Sequence, residues 1–368
     1  MKDNTMAQEI STLQKVRSEY QPKLPAALKS GNIKIELGEP SHPETDQEEI
    51  KALFPKTYGQ PLVKIVEGDG GLTTEPLTVG VVLSGGQAPG GHNVIAGLFD
   101  ALKAANKDSK LFGFLKGPGG AIKGKCVEIT AELVDKYRNT GGFDMIMSGR
   151  DKIEKPEHLQ SCRENFEKMG LDGLVIIGGD DSNTNAAMLA EYLREQGCKT
   201  SIIGVPKTID NDVWGTDRSV GFDTAVSIAT EALDRVRTTA ESHDRIMVVE
   251  VMGHHVGWIA VAAGIAGGAD QVLIPEEPFD IDDALVETHI PKIDDWGEYL
   301  YLALEGVPAG HILQPGRRIP IVVRGDAPLR STPSRFQDLA LARGDQHGSI
   351  GEVPDIGRLA VRCPKGEG

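Results

Sequence analysis

"VIIGGDDSNTNAAML", residues 175–189, decides the fold. It opens as an apolar, β-branched run and continues as a polar segment with apolar residues at helical spacing. A strand therefore hands over to a helix at Gly178-Gly179, and the helix is expected to carry Ala187, Leu189 and Leu193 on its inner face. "LTVGVVLSGGQAPGGHNVIAGLFDALKAA" (77–105) repeats the arrangement: a strand at 77–83, a glycine turn at 84–91, then a helix with Val94, Ile95, Leu98, Phe99 and Leu102 on one face. "SIIGVPK" (201–207), "RIMVVEVM" (245–252) and "DQVLIPE" (270–276) read as further strands, and segments around 223–240 and 256–266 as helices. Apolar strands alternating with helices define an α/β class, with mainly parallel sheets covered on both faces. Ligands of such sheets bind beyond the C-terminal strand ends, where the glycine turns stand.

A chain of 368 residues is long for one core and implies two lobes. The net charge of −15 argues against sequence-independent nucleic-acid binding, which needs clustered cations. Apolar runs such as 259–265 are far too short to span a membrane, and "MKDNTMAQEISTLQKV" lacks the apolar core of a secretion signal. Cys126, Cys162, Cys198 and Cys363 are scattered without a paired motif, so neither a zinc site nor a disulfide framework is expected. A cytoplasmic protein is the simplest expectation. Residues 1–75 read as an extension: a polar, helix-like start, then the Pro- and acid-rich "ELGEPSHPETDQEEIKALFPKTYGQP", which suits a surface strap or linker. The last 80 residues are less regular, and their elements are not placed from sequence.

Three turns carry chemistry. The first, Ser84–Gly91, has glycines that let a backbone approach phosphate oxygens, yet it matches neither a dinucleotide fingerprint nor a Walker sequence; a plain tight turn competes evenly. The second, Gly178-Gly179-Asp180-Asp181-Ser182, poses a puzzle. A helix N-terminus attracts anions, while two carboxylates repel them. Either Asp181 or Ser182 is the helix N-cap, or a carboxylate serves a metal arriving with an anionic ligand. The third, "PKTIDND" (206–212), combines a cation, a hydroxyl and two carboxylates, a set suited to phosphoryl transfer; capped turn structure is its competitor. Arg150 and Arg245 are further candidate cations, and His254-His255 follow a strand end without a third ligand for a metal.

Taken together, "GVVLSGGQAPGGHN", "IIGGDDS", "PKTIDND", "WGTDRSVGFDTA", "SHDRIMVVEVMG" and "AGGADQVLIPE" resemble the phosphofructokinase family over about residues 77–280, in the family's order and spacing. The resemblance implies two similar three-layer α/β lobes with mainly parallel sheets, the active site lying in the cleft. It divides the chain into an N-terminal extension (1–75), a phosphoryl-donor lobe (76–221) to which part of 306–368 is a candidate addition, a fructose-6-phosphate lobe (222–305) and an irregular C-terminal region (306–368).

It also answers the puzzle. ATP-using members of the family carry glycine where Asp181 stands; an aspartate there implies exclusion of ATP while pyrophosphate still fits, and Lys207 agrees with the pyrophosphate-dependent branch. Carried over residue by residue, Asp210 is implied as the base for the sugar 1-hydroxyl and Lys207 as its catalytic partner. Asp180 serves Mg²⁺. Gly85, Gly86, Arg150, Asp181, Ser182 and Thr208 form the donor site. Thr208, Asp210, Asp212, Arg245, Met252, Gly253, His254 and Glu305 face the sugar phosphate. The implied reaction is reversible transfer from pyrophosphate to fructose 6-phosphate, in glycolysis or gluconeogenesis, by a homo-oligomer (dimer or tetramer) because the family shares sugar sites between subunits. Two alternatives remain: a catalytically weak regulatory subunit of a hetero-oligomer, and an ATP-dependent enzyme.

Three departures stand out. His254 replaces the family's arginine, and a mostly neutral imidazole does not give a fixed charged fork. "GHILQ" (310–314), resembling a phosphate-binding stretch, begins only five residues after Glu305, which weakens any carry-over to His311, Arg317 or Arg324. Residues up to about 196 resemble the long pyrophosphate-dependent subfamily, whereas 200–282 look closer to the short bacterial type.

Overall fold

A computed structural model of the chain describes residues 11–29, 32–69, 75–243, 245–278, 307–314, 317–323 and 357–361. The extension forms α1 (Thr12–Glu19), α2 (Ala26–Lys29), β1 (Ile33–Pro40), α3 (Gln47–Leu53) and β2 (Pro61–Glu67). β1 and β2 pair antiparallel, with Ile35 opposite Ile65 and Leu37 opposite Val63. The stretch expected as a strap or linker thus includes a paired ribbon, and it is pinned. The Glu191 carboxylate, only 6% exposed, accepts hydrogen bonds from Lys56 N (2.7 Å), Thr57 N (2.8 Å) and Thr57 Oγ1 (2.8 Å).

The alternation read from the sequence follows: β3 (Thr78–Ser84), α4 (Gly91–Ala105), β4 (Lys110–Phe114), α5 (Pro118–Lys123), β5 (Cys126–Glu128), α6 (Ala131–Tyr137), β6 (Ser148–Gly149), α7 (Pro156–Met169), β7 (Gly173–Gly178), α8 (Asp180–Glu195), β8 (Ser201–Thr208) and β9 (Val220–Gly221). Their sheet has the order β5-β4-β3-β7-β8-β9, with β6 also pairing β3. Among these pairings only β5 with β4 is antiparallel.

Both faces are covered. Val79, Val81 and Leu83 point to one side with Val175 and Ile177, under Ile95, Phe99 and Leu102 of α4. Val82, Leu174 and Ile176 point to the other, under Phe166 of α7 and Leu189 and Leu193 of α8. Burial on both faces explains why these strands read as continuous apolar runs rather than alternating ones. One detail of the reading is corrected: Ala187 is exposed, and Ala186 takes the inner face of α8 with Leu189 and Leu193. Ala186 and Leu193 are seven residues apart, two helical turns, whereas Ala187 lies about 100° further round.

By Cα proximity the chain divides into two compact units, Met1–Thr208 with Val213–Gly221, and Ile209–Asp212 with Phe222–Gly368. The second contains α9 (Phe222–His243), β10 (Met247–Val251), α10 (Trp258–Gly267), β11 (Gln271–Leu273), β12 (Val307–Gln314), β13 (Arg317–Val323) and β14 (Gly357–Val361). Leu233, Ala260 and Ala263 form its buried centre, packed by Val226, Val249, Val251 and Val272. Gly267 is needed for the close approach of α10 to α9, since a Cβ there would lie 2.9 Å from Leu233 Cβ. β14 lies between β10 and β11 and is antiparallel to both, with Val249 and Val272 each opposite Leu359. β12 and β13 form a separate antiparallel pair. Among the described residues no helix is long and apolar enough to cross a membrane.

Candidate active site

The first site element is the turn after β3. Gly85 has φ +82°, a left-handed conformation that glycine adopts without strain. Its N–H donates to Gly149 O (2.9 Å), and Ser148 Oγ donates to Gly85 O (2.8 Å). Ser148-Gly149 pairs with Leu83-Ser84 and so carries the following Arg150 to the turn; a Cβ on Gly86 would stand 3.9 Å from Arg150 Nη2. Gly149 has to be glycine for this, because a Cβ there would meet Lys116 O at 2.2 Å.

β8 brings Lys207 to the same turn. Its side chain is only 5% exposed, and Nζ donates to Gly86 O at 2.6 Å. The same Nζ lies 5.3 Å from the centroid of the Phe143 ring. Ser182, in the first turn of α8, donates from Oγ to Ser84 Oγ (2.8 Å), which ties the two glycine turns together. Gly85, Gly86, Arg150, Ser182 and Lys207 therefore gather around one turn.

The carboxylate pair is settled in part by the helix start. Gly179 is the N-cap of α8 and makes no side-chain cap, so neither Asp181 nor Ser182 holds the capping role. Asp180 and Asp181 occupy the first turn and are exposed, which the helix dipole favours without any ligand. Asp181 sits 3.3 Å from Lys152 Nζ, with Glu154 at 3.5 Å from the same nitrogen. The hydrogen-bonded Asp181 carboxylate, and Glu154 behind it, raise the Lys152 ammonium above its ordinary value. Among the described residues no cluster of three or more His, Cys, Asp or Glu side chains could hold a metal by itself. An exposed Asp180 in the first turn of α8 still suits Mg²⁺, which usually keeps several waters and takes only one or two carboxylates plus substrate phosphates.

Thr208 ends β8, and its carbonyl accepts from Ser219 Oγ at 2.6 Å. Asp210 and Asp212 belong to the second unit, with Asn211 between them at φ +58°. Arg245, Met252 and His254 are exposed there, and Gly253 is buried. A Cβ on Gly253 would meet Val256 O at 2.4 Å, so glycine is required. The His254 and His255 rings stack edge to face at 4.0 Å. Glu305 and Arg324 lie outside the described residues; His311 and Arg317 are at strand positions in β12 and β13.

The family profile described as phosphofructokinase matches residues 78–299, which takes in both units and every turn described above. The chain belongs to the phosphofructokinase family. The pyrophosphate–fructose 6-phosphate 1-phosphotransferase of Porphyromonas gingivalis is 46% identical over 270 residues, covering 73% of this chain and 49% of that protein. The protein from Solanum tuberosum named as subunit beta of the same enzyme is 47% identical over 274 residues, covering 73% and 48%. The chain thus spans about half the length of the curated relatives it matches. A crystal structure of the pyrophosphate-dependent phosphofructokinase from Marinobacter aquaeolei matches with TM-score 0.51 and 24% identity, over 58% of this chain and 56% of that one, a likeness of fold. The phosphofructokinase fold class expected from the motifs is the one found, although the mainly parallel sheet expected of a second lobe is not seen among the described residues, where β14 pairs antiparallel with β10 and β11.

Sequence reasoning passed over two residues beside the Gly85-Gly86 turn. Phe143 opens "FDMIMSGRDKIE" (143–154), a stretch that resembles the long pyrophosphate-dependent subfamily, but it was given no role, because its place against Lys207 depends on chain 64 residues away. His92 was quoted within "GGHN" without a role. It is 1% exposed, and its Nε2 accepts from Asp144 N and Met145 N, both at 2.9 Å. Those two donors leave the ring proton on Nδ1, which faces Thr140 Oγ1 at 2.7 Å. Burial lowers the His92 pKa, against an opposing pull from Asp144.

Proposed function

We propose that the chain carries the phosphoryl-transfer centre of a pyrophosphate-dependent 6-phosphofructokinase, transferring a phosphoryl group reversibly from pyrophosphate to the 1-hydroxyl of fructose 6-phosphate. The observation that supports this most is the buried Lys207 ammonium at the Gly85-Gly86 turn, with Arg150 alongside and Asp181 rather than glycine in the facing helix turn. In a protein of net charge −15, buried positive charge at a glycine turn favours a small polyanion. The names of the relatives support the same reading.

Each residue has a part. Asp210 accepts the proton of the sugar 1-hydroxyl as its oxygen attacks phosphorus, and the bond to the departing phosphate breaks in line. Lys207, Thr208 and Arg150 hold the transferred group, with charge placed where it develops. Asp180 would hold Mg²⁺, which supplies further neutralisation of the phosphates when bound. Arg245, Met252, Gly253, His254, Asp212 and Glu305 would bind the sugar phosphate, with Arg245 serving a neighbouring subunit of a homodimer or homotetramer. The enzyme would work in the cytoplasm, in glycolysis or gluconeogenesis, with the domain division described above.

His254 favours a second reading, a regulatory subunit with little turnover of its own. Losing one charge-stabilising contact could cost about 10²–10³ in rate. Steady-state turnover of fructose 6-phosphate with Mg²⁺ and pyrophosphate, then with ATP, separates the readings. Turnover with pyrophosphate alone is expected. Sugar-phosphate binding without turnover would favour the regulatory subunit, and turnover with ATP alone would overturn the reading of Asp181. An Asp181→Gly variant is expected to gain ATP use; one that gains none removes Asp181 as the gate.

A further inference from the structure

The loop 140–147 carries no role assigned from the sequence, yet several hydrogen bonds fasten it to the N-terminus of α4. Gly90 N donates to Gly141 O (2.8 Å), and His92 N to Gly142 O (3.0 Å). The buried His92 ring takes Asp144 N and Met145 N on one nitrogen and faces Thr140 on the other. Thr140 Oγ1 in turn donates to Tyr137 O (2.7 Å), and the Tyr137 ring meets the His92 ring edge-on at 4.8 Å. All these bonds bracket Phe143, itself only 4% exposed. Its ring lies directly on the Gly91 backbone, where a Cβ would come within 2.3 Å of Cδ2. The outcome is a ring whose position is fixed from both sides and which lies 5.3 Å from Lys207 Nζ.

We propose that Phe143 is a positioning residue of the donor site: its ring face and the Gly86 carbonyl together hold the Lys207 ammonium at the glycine turn, and the His92 latch keeps the ring in place. A lysine head on a four-carbon stem has many rotamers, and a phosphate that had to collect it would bear that ordering cost. An aromatic face attracts the cation through its quadrupole within about 6 Å and adds no opposing formal charge. Its part of the hold therefore neutralises none of the positive charge. The role rests on the pyrophosphate-transfer reading; the Phe143–Lys207 coupling does not.

The test replaces Phe143 in the full chain by mono-, di- and trifluorophenylalanine, which drain the ring face in steps with little change of volume. Two readouts are taken: kcat/KM for pyrophosphate beside the KM for fructose 6-phosphate, and the unfolding constant with Lys207 present or replaced (Lys207→Met). Stepwise loss is expected in kcat/KM for pyrophosphate, reaching about five- to thirtyfold for an interaction of this kind, with the KM for fructose 6-phosphate within about twofold. The unfolding constant should grade with fluorination only while Lys207 is present. If both readouts are flat across the series, the proposal is overturned. If the unfolding series is graded but the unmodified chain turns over no pyrophosphate, the transfer reading fails while the hold on Lys207 stands.

Discussion

Glu191→Ala should release the N-terminal extension from α8. The Glu191 carboxylate receives three hydrogen bonds of 2.7–2.8 Å from Lys56 and Thr57. Bonds to a charged group contribute about 1.5–3 kcal/mol each, so the gross loss is roughly 5–9 kcal/mol. Two effects return part of it. Removing a carboxylate that is only 6% exposed relieves its desolvation, and the freed Lys56 and Thr57 donors lie near the surface, where water can reach them. A net cost of about 2–4 kcal/mol remains, and it falls on docking of the extension more than on the sheet. Glu191→Gln keeps an acceptor but loses the charge and should cost about half as much. The assay is limited proteolysis under native conditions, scored for cleavage near residues 41–60, alongside chemical denaturation. The Ala variant should be cut at least tenfold faster in this stretch. Unchanged cleavage and a stability within about 0.5 kcal/mol of the parent would refute the idea that this carboxylate anchors the extension.

Further outcomes are expected. Because the folded His92 pKa lies below its unfolded value, its neutral form is favoured on folding; stability should be full above about pH 6.5 and fall as the pH drops through the lowered value. In His92→Gln that segment of the acid-stability curve should flatten, Asp144 being the charged group facing the ring at 3.3 Å. Gly80→Ala should destabilise by about 1–3 kcal/mol in denaturant titration, because the new Cβ would lie 2.8 Å from Phe114 Cε2 and 2.9 Å from Leu174 Cδ1. Cys162 is fully buried, and burial pushes its thiol up to about 12. It should stay unreacted with a thiol reagent at pH 8 until the protein is unfolded.

Local pattern determined a great deal. The apolar runs of β3, β7 and β8, the glycine turns and the 3–4 residue spacing in α4 and α8 are each written within about 30 consecutive residues. Strand and helix periods act at that range, so element type, parallel pairing and the place of the glycine turns at strand ends were legible, whereas the grouping of Gly85, Gly86, Arg150, Ser182 and Lys207 came from the family resemblance of their motifs. The face of α8 was read one residue out at Ala186, because alanine burial is decided by what packs against it. Other features depended on partners far along the chain. Leu359 pairs with residues more than 80 positions earlier, so no local signal marked β14 as the middle of its sheet. The anchoring of the extension rests on a carboxylate 135 residues from Lys56. His92 and Phe143 acquired their parts because α4 and the 140–147 loop meet, and because β8 delivers Lys207 across β7 to the same turn. The sequence by itself determined which residue types stand at the strand ends; only the tertiary structure decided how Lys207 is held, since a hydrogen bond or a ring contact between distant segments exists only after the chain has paid the entropy of bringing them together.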